Sequence, residues 1–416
     1  MLLQFYVKNY RSILDPVIFS MLADPDLSNK KRHTKELIQT AEGKVLPAAL
    51  IYGANGSGKT NLFRAMAYLR HLAIAMPSEE KTHLDVKIHK LASEDETTVF
   101  ELFFIKENTL FCYYLEFSRT GILLENLYSY PNKRKAKVFE RNGMEVKVGS
   151  KFKASDITNG KNALTPFRTL LACIGQFDLN NKIVGKVYRW FKDDLNIVFA
   201  QTDPDFRDYT KRVLFNHEEN QQLMIEALNT FGIPVKDLKV EKQKMRLSPE
   251  MFPSHILTEE FRKELSKNNE TIRITLQYDE FAIDLDEESY GIQKLLYLLS
   301  LLIDVLKEGK TLIYDGLDTH LHELILVQFI QLFQRYGSQT KAQLIFSTHN
   351  TGSLDLDLLR KDQIWFTELV SKNRATDLYS LLEVKDVRPT ENIMSGYLQG
   401  QYGAIPHLND SYTLTY

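Results

Sequence analysis

The chain has 416 residues, of which 44% are hydrophobic and 25% charged, close to globular averages, so a disordered or fibrous class is excluded. Its 52 basic residues against 54 acidic ones leave a formal charge of −2, which gives no overall basic field, so any nucleic-acid contact has to be local. Cys112 and Cys173 fit no metal or redox spacing and point to a reducing, cytoplasmic setting, while the lack of ~18 consecutive apolar residues argues against a membrane span.

The first stretch, Leu2 to Val7, is apolar, but Lys8, Arg11 and Asp15 follow at once, so it reads as a strand rather than a leader. Asp24 to Lys44 is polar and contains Lys30-Lys31-Arg32-His33; a solvated loop is the plainer reading and a phosphate-contacting patch the other. Ala48 to Tyr52 is a short apolar run. Gly53-Ala54-Asn55-Gly56-Ser57-Gly58-Lys59-Thr60 follows it and opens into an amphipathic segment, Asn61 to Leu69. Strand, glycine-rich loop and helix in that order are what a phosphate cradle needs. Glycines let the loop turn its N–H groups inward, the helix N-terminus adds its dipole, Lys59 reaches the β- and γ-phosphates, and Thr60 joins the Mg²⁺ shell.

Beyond this helix, Thr97 to Glu116 is rich in β-branched and aromatic residues around the turn Lys106-Glu107-Asn108-Thr109, which predicts a hairpin. Leu123–Tyr130 and Ala136–Phe139 extend the pattern across a basic turn, Lys133-Arg134-Lys135. From Pro166 the spacing becomes helical, through Leu170–Ile174 and Ile183–Leu195, and Gln221–Phe231 is a further helix ending at Gly232. Lys236 to Arg246 alternates cations with Leu238, Val240 and Met245, as the solvent face of a strand does.

In the second half, Thr271–Tyr278 and Phe281–Leu285 read as paired strands leading into Glu288-Ser289-Tyr290-Gly291 and an apolar helix, Leu295 to Leu306. Ser289 is a natural N-cap, and Gly291 permits close approach of another backbone, although capping alone would explain the pair. Lys310 to Asp315 is an apolar strand ending in a carboxylate suited to organise Mg²⁺ beside Thr60. Gln343 to Asn350 is another buried strand, tipped by His349. His320 and His322 suggest a metal pair less readily than structural or interface roles.

The order Gly53–Thr60, Glu288–Gly291, Tyr314-Asp315, Leu317-Asp318 and Thr348-His349 resembles the ABC-type ATPase heads of the SMC/RecF/OLD group. Within that group it looks most like the compact AAA-annotated ATPases of prokaryotic abortive-infection and anti-phage systems, of the AbiL, RloA, AriA and PtuA type. Val7 to Ile13, with Arg11, and Gly396 to Pro406 are similar to that group's terminal motifs. The resemblance implies an α/β fold: an ABC-type P-loop NTPase head with an antiparallel β subdomain and a helical insertion. The expected division is an N-terminal ATPase lobe over 1–150, a mainly helical insertion over 151–250 and a C-terminal ATPase lobe over 251–416.

It also implies ATP and Mg²⁺ as cofactors. The nucleotide would be held by Arg11, Gly53, Asn55, Gly56, Ser57, Gly58, Lys59, Thr60 and Asn61 of one copy. Ser289 and Gly291 of a second copy would close over it in a head-to-tail homodimer or higher homo-oligomer. Thr60 and Asp315 would take the metal, and Asp315, Asp318 and His349 would be catalytic. The implied function is a sensor or scaffold ATPase that controls a partner effector, a nuclease or toxin encoded nearby; the alternative is a RecF/SMC-like DNA-binding ATPase in DNA repair. One departure matters. The family places Glu directly after the metal-binding Asp, and this chain has Gly316; loss of a positioned base costs ~10²–10⁴-fold in rate, so slow turnover is expected, raised in Gly316→Glu.

Overall fold

The computed structural model describes residues 1–25, 36–78, 82–150, 158–177, 183–200, 204–245 and 269–406. Two sequence readings, the Lys30–His33 patch and Arg246, lie outside the described residues. The chain forms a larger unit, residues 1–200, 305–319 and 326–416, and a smaller one, residues 201–304 and 320–325.

In the larger unit, β1 (Leu2–Lys8) pairs antiparallel with β2 (Val17–Ser20). A ribbon of β3 (Ile38–Thr40) and β4 (Gly43–Val45) precedes β5 (Ala48–Tyr52), all five residues of which are buried. After the glycine-rich loop comes α1 (Lys59–Ile74). The expected hairpin is β6 (Thr98–Lys106) and β7 (Thr109–Ser118), followed by β8 (Gly121–Ser129), β9 (Ala136–Asn142) and β10 (Glu145–Val148). They complete an antiparallel sheet of order β10-β9-β8-β7-β6-β1-β2. Alternation puts Phe100, Leu102 and Phe104 on its buried face, where Phe100 and Phe117 meet edge to face at 5.2 Å and the core continues into Phe63 and Met66 of α1.

The helical stretch is α2 (Thr158–Asn162), α3 (Leu170–Phe177) and α4 (Val184–Arg189). A π-helical turn over Trp190–Asp194 follows, stacking Trp190 on Phe104 at 4.2 Å. It ends in β11 (Leu195–Phe199), so the helix expected to include Leu195 stops one residue before it. Glu125 of β8, fully buried, accepts from the first-turn amides of α3, Leu170 N at 2.6 Å and Leu171 N at 2.9 Å, and pairs with buried Arg141 at 3.2 Å. A buried carboxylate is tolerated because every oxygen has a donor and it faces a helix N-terminus.

In the smaller unit, α5 (Pro204–Asn216) and α6 (Glu218–Thr230) pack on an antiparallel sheet of β12 (Asp237–Met245), β13 (Asn269–Gln277) and β14 (Ala282–Asp284). Leu214, Leu228, Leu238 and Leu276 are buried there. Lys236 pairs with Asp279 at 3.3 Å and Lys239 with Glu241 at 2.8 Å, which fits the reading of this basic strand as a solvent face. The apolar helix expected after Gly291 is α7 (Tyr290–Glu308).

The larger unit resumes with β15 (Thr311–Asp315), then α8 (Glu323–Thr340), β16 (Gln343–Ser347), β17 (Ile364–Leu369), β18 (Thr376–Ser380) and α9 (Ile393–Leu398). Its second sheet has the order β11-β15-β16-β5-β17-β18, parallel except for the last pair. β5 and β16 are buried throughout, the apolar run that a strand covered on both faces requires. Gln343 ties this sheet to the antiparallel one: Leu2 N donates to its Oε1 at 2.6 Å, and its Nε2 donates to Leu2 O at 2.9 Å. Parallel neighbours bring the carboxyl ends of β5, β15 and β16 to one edge, the usual ligand side of an α/β sheet. Among the described residues no helix is long and apolar enough to cross a membrane.

Candidate functional site

The loop after β5 occupies that edge. Gly53 and Gly58 take left-handed φ values of 150° and 116°. A Cβ at Gly53 would collide with Thr367 and one at Gly58 with Thr376, so only glycine lets the loop lie against β17 and β18. Hydroxyls fix it there. Ser57 Oγ and Thr367 Oγ1 are 2.6 Å apart, Thr376 Oγ1 donates to Ser57 O at 2.9 Å, and Thr376 Oγ1 lies 2.7 Å from Ser12 Oγ. Asn61 Nδ2 donates to Ser12 Oγ at 2.7 Å, which joins the turn after β1 to the first turn of α1. Its neighbour Arg11 is held at a φ of 55°, with its amide on Lys87 O at 2.6 Å. Asn55 and Gly56, at the tip, are exposed.

Gly58 caps α1 without a side-chain bond; Asn61 N and Leu62 N donate to its carbonyl at 2.9 and 3.1 Å, and the N–H groups ahead of them are the open donors of a helix N-terminus that an anion can take. Lys59 is 7% exposed and donates to Gly53 O at 2.6 Å and Ala54 O at 3.1 Å. Burial lowers its pKa to about 8, against the opposing pull of Asp315 and Asp318. Asp315 Oδ1 accepts from Ser347 Oγ at 2.6 Å, and the same hydroxyl accepts from Gly316 N at 2.8 Å. Asp318 Oδ2 accepts from the amides of His349 at 2.9 Å and Asn350 at 3.2 Å. The imidazole of His349 is held below its ordinary pKa, first by desolvation and then by the Lys59 charge, with Asp318 and Asp315 opposing. Lys59, Asp315, Asp318 and His349 therefore share one electrostatic neighbourhood, although they come from three segments.

These residues fit a nucleotide with Mg²⁺. The cradle is an open helix N-terminus with close backbone approach, and Thr60 with Asp315 supplies hard oxygen ligands of the kind Mg²⁺ takes while keeping several waters. Among the described residues no group of three or more His, Cys, Asp or Glu could hold a metal alone, so His320 and His322 do not build such a centre. Instead the His320 ring packs edge-on against Tyr290 at 4.7 Å.

Ser289 and Gly291 lie in the smaller unit. Ser289 is exposed and caps α7 by accepting from Ile292 N at 3.4 Å. Glu288 steadies the turn, accepting from Tyr278 OH at 2.7 Å and from Ser289 N at 3.1 Å. Sequence reasoning missed Ser12, Ser347, Thr367 and Thr376, whose only signal is that small hydroxyl residues recur at or beside strand ends. It also missed that Gly316 sits at a φ of 75°, a backbone that a glutamate would strain.

Residues 48–355 match the family described as "AAA domain, putative AbiEii toxin, Type IV TA system". No curated protein matches the chain. Among solved structures, the SMC head bound to the C-winged helix domain of ScpA is 13% identical, with 91% of this chain and 97% of that chain covered at a TM-score of 0.47. The SMC head domain from Thermotoga maritima is 15% identical, with 91% and 98% covered at 0.42. The Smc head domain with an extended coiled coil, bound to the C-terminal domain of ScpA derived from Pyrococcus furiosus, is 11% identical, with 91% and 96% covered at 0.44.

Proposed function

The chain belongs to this AAA-domain family, and on that premise we propose that it is an ATP-binding, slowly hydrolysing ABC-type ATPase. It acts as the sensor or scaffold subunit of a prokaryotic anti-phage defence system, in which an ATP-dependent head-to-tail dimer controls a partner effector. The observation that carries the reading is the convergence of Lys59, Asp315, Asp318 and His349 on the uncapped N-terminus of α1. The toxin–antitoxin wording of the family's description supports an effector as the partner.

Lys59 leaves the carbonyls of Gly53 and Ala54 to meet the β- and γ-phosphates, and the N–H groups from Gly56 to Thr60 hold the remaining oxygens. Thr60 and Asp315 would hold Mg²⁺, which when bound would neutralise charge on the triphosphate. His349, whose pKa desolvation and the Lys59 charge hold down, donates a hydrogen bond toward the γ-phosphate; Asp318 fixes its backbone. Gly316 offers no base, so water is positioned only through Asp318 and His349 and turnover is slow. Ser289, exposed and already capping α7, adds a second helix N-terminus from a neighbouring copy.

Nucleotide-dependent self-association tests this, followed by light scattering beside ATP turnover. Wild type is expected to associate with ATP. Lys59→Ala should lose both nucleotide binding and association, and Ser289→Ala should keep binding but lose association. Equal association in all three sinks the composite site.

A further inference from the structure

The nucleotide site gives no role to Gly396–Pro406, yet this segment lies against the start of the phosphate loop. Tyr397 of α9 is 7% exposed. Its ring stacks on Phe366 of β17 at 5.6 Å and leans on Tyr52, the residue before Gly53, at 5.9 Å. The hydroxyl donates to Ala404 O at 3.1 Å. Burial pushes the pKa of that hydroxyl up, and a backbone hydrogen bond with Gly53 opposes the push. The ring is therefore held by packing, while the hydroxyl reaches the first residue of the cradle.

The anchor is itself fixed. A Cβ at Gly396 would collide with Tyr402 and one at Gly403 with Tyr379, so these two glycines let the segment close around a pair of tyrosines. Tyr379 OH donates to Tyr402 O at 2.7 Å, and Tyr402 OH donates to Glu391 Oε1 at 2.5 Å. Phe366 stacks on Tyr402 at 6.2 Å as well as on Tyr397. An aromatic knot seated on β17 and β18 thus ends in one hydroxyl directed at the loop.

Gly53 is where such a hold matters. Glycine is the residue that costs most to keep in one conformation, and Lys59, which donates to the Gly53 carbonyl at 2.6 Å, leaves it to meet the phosphates. A second tether on the same residue keeps the loop ordered while the first is withdrawn, so that less of the binding energy is spent on ordering it. We propose that Tyr397 is a positioning residue of the phosphate cradle, its hydroxyl holding Gly53 in the orientation that receives the triphosphate. The inference rests on the nucleotide reading of the loop and adds to it the part played by the C-terminal motif.

Calorimetric titration of the full chain with ATP and Mg²⁺, beside thermal unfolding, tests it in wild type, Tyr397→Phe, Tyr402→Phe and Lys59→Ala. Tyr397→Phe keeps the ring contacts and loses the hydroxyl, and it should bind ATP about fivefold more weakly, as loss of one hydrogen bond implies. Tyr402→Phe removes a bond to a carboxylate, the stronger kind, so it should lower Tm by more than Tyr397→Phe while ATP affinity stays at the wild-type value. A packing role would make affinity follow Tm; a positioning role reverses the order of the two variants. The proposal is overturned if Tyr397→Phe binds ATP as wild type does, or if Tyr402→Phe loses as much affinity as Tyr397→Phe. Failure of the nucleotide reading shows separately, as Lys59→Ala binding ATP undiminished, and the proposal would fall with it.

Discussion

The loop before α1 and the turn before α7 both place small residues at a helix N-terminus, yet they are built differently. Hydroxyls from β17, β18 and the turn after β1 lock the first, through buried Thr367 and Thr376 and half-buried Ser12. The second is exposed and held by neighbours in sequence, Ser289 on Ile292 and Glu288 on Tyr278. A cradle fixed by residues hundreds of positions away is preorganised for its ligand before the ligand arrives. A helix end held only locally gains by meeting something else. The contrast matches a site in which one element grips and the other closes.

The sharpest way to break this comparison is to remove one lock from each side. Thr376→Val keeps the shape but deletes the hydroxyl that holds Ser57 O and Ser12 Oγ; Thr376 is buried, so we expect a loss of about 2 kcal/mol in denaturant unfolding and weaker nucleotide binding with it. Ser289→Ala removes a long, exposed cap bond and should cost less than about 1 kcal/mol. Equal costs would mean that the two helix ends are not held differently.

A somewhat smaller effect comes from pH. Burial lowers the Lys59 pKa from the ordinary 10.5 to about 8, and phosphates beside it raise that value again. The protonated lysine is the binding form, so affinity should be flat below pH 8 and fall about tenfold per unit above it. Stability moves the other way: between 8 and 10.5 the unfolded chain holds the extra proton, so the fold gains stability as pH rises through that window. Lys59→Met should remove both slopes; an unchanged slope in affinity would assign the titration elsewhere.

Much of this was legible in the sequence, for physical reasons that differ by element. Gly53 to Thr60 reads at once because a phosphate loop is local, with its glycines, lysine and hydroxyl fixed by spacing. Strands β6 to β9 read through their β-branched and aromatic residues around turns, and β15 and β16 through apolar runs that lead to Asp315 and His349. Thr376 did not read, because nothing near it hints that its hydroxyl sits 319 residues away from its partner in the chain, on Ser57 O. Glu125 did not read either, because its partners, Arg141 and the first amides of α3, lie 16 to 46 residues further along the chain.

Gly316 sharpens the comparison most. Its φ of 75° means that the chain turns there as only glycine does readily, so the missing carboxylate and the backbone conformation are one feature. Gly316→Ala and Gly316→Glu should both destabilise by about 1 kcal/mol, because each pays the left-handed strain. Space is not the obstacle, since a Cβ there would meet only Thr319 Oγ1 at 3.3 Å and Ala200 Cβ at 3.6 Å. Any difference in ATP turnover between the two then isolates the carboxylate, with the strain common to both. Turnover higher in Gly316→Glu than in Gly316→Ala would show that this gripping element lacks only a base; equal turnover would show that left-handed backbone at 316 aims a carboxylate away from the water it would have to activate.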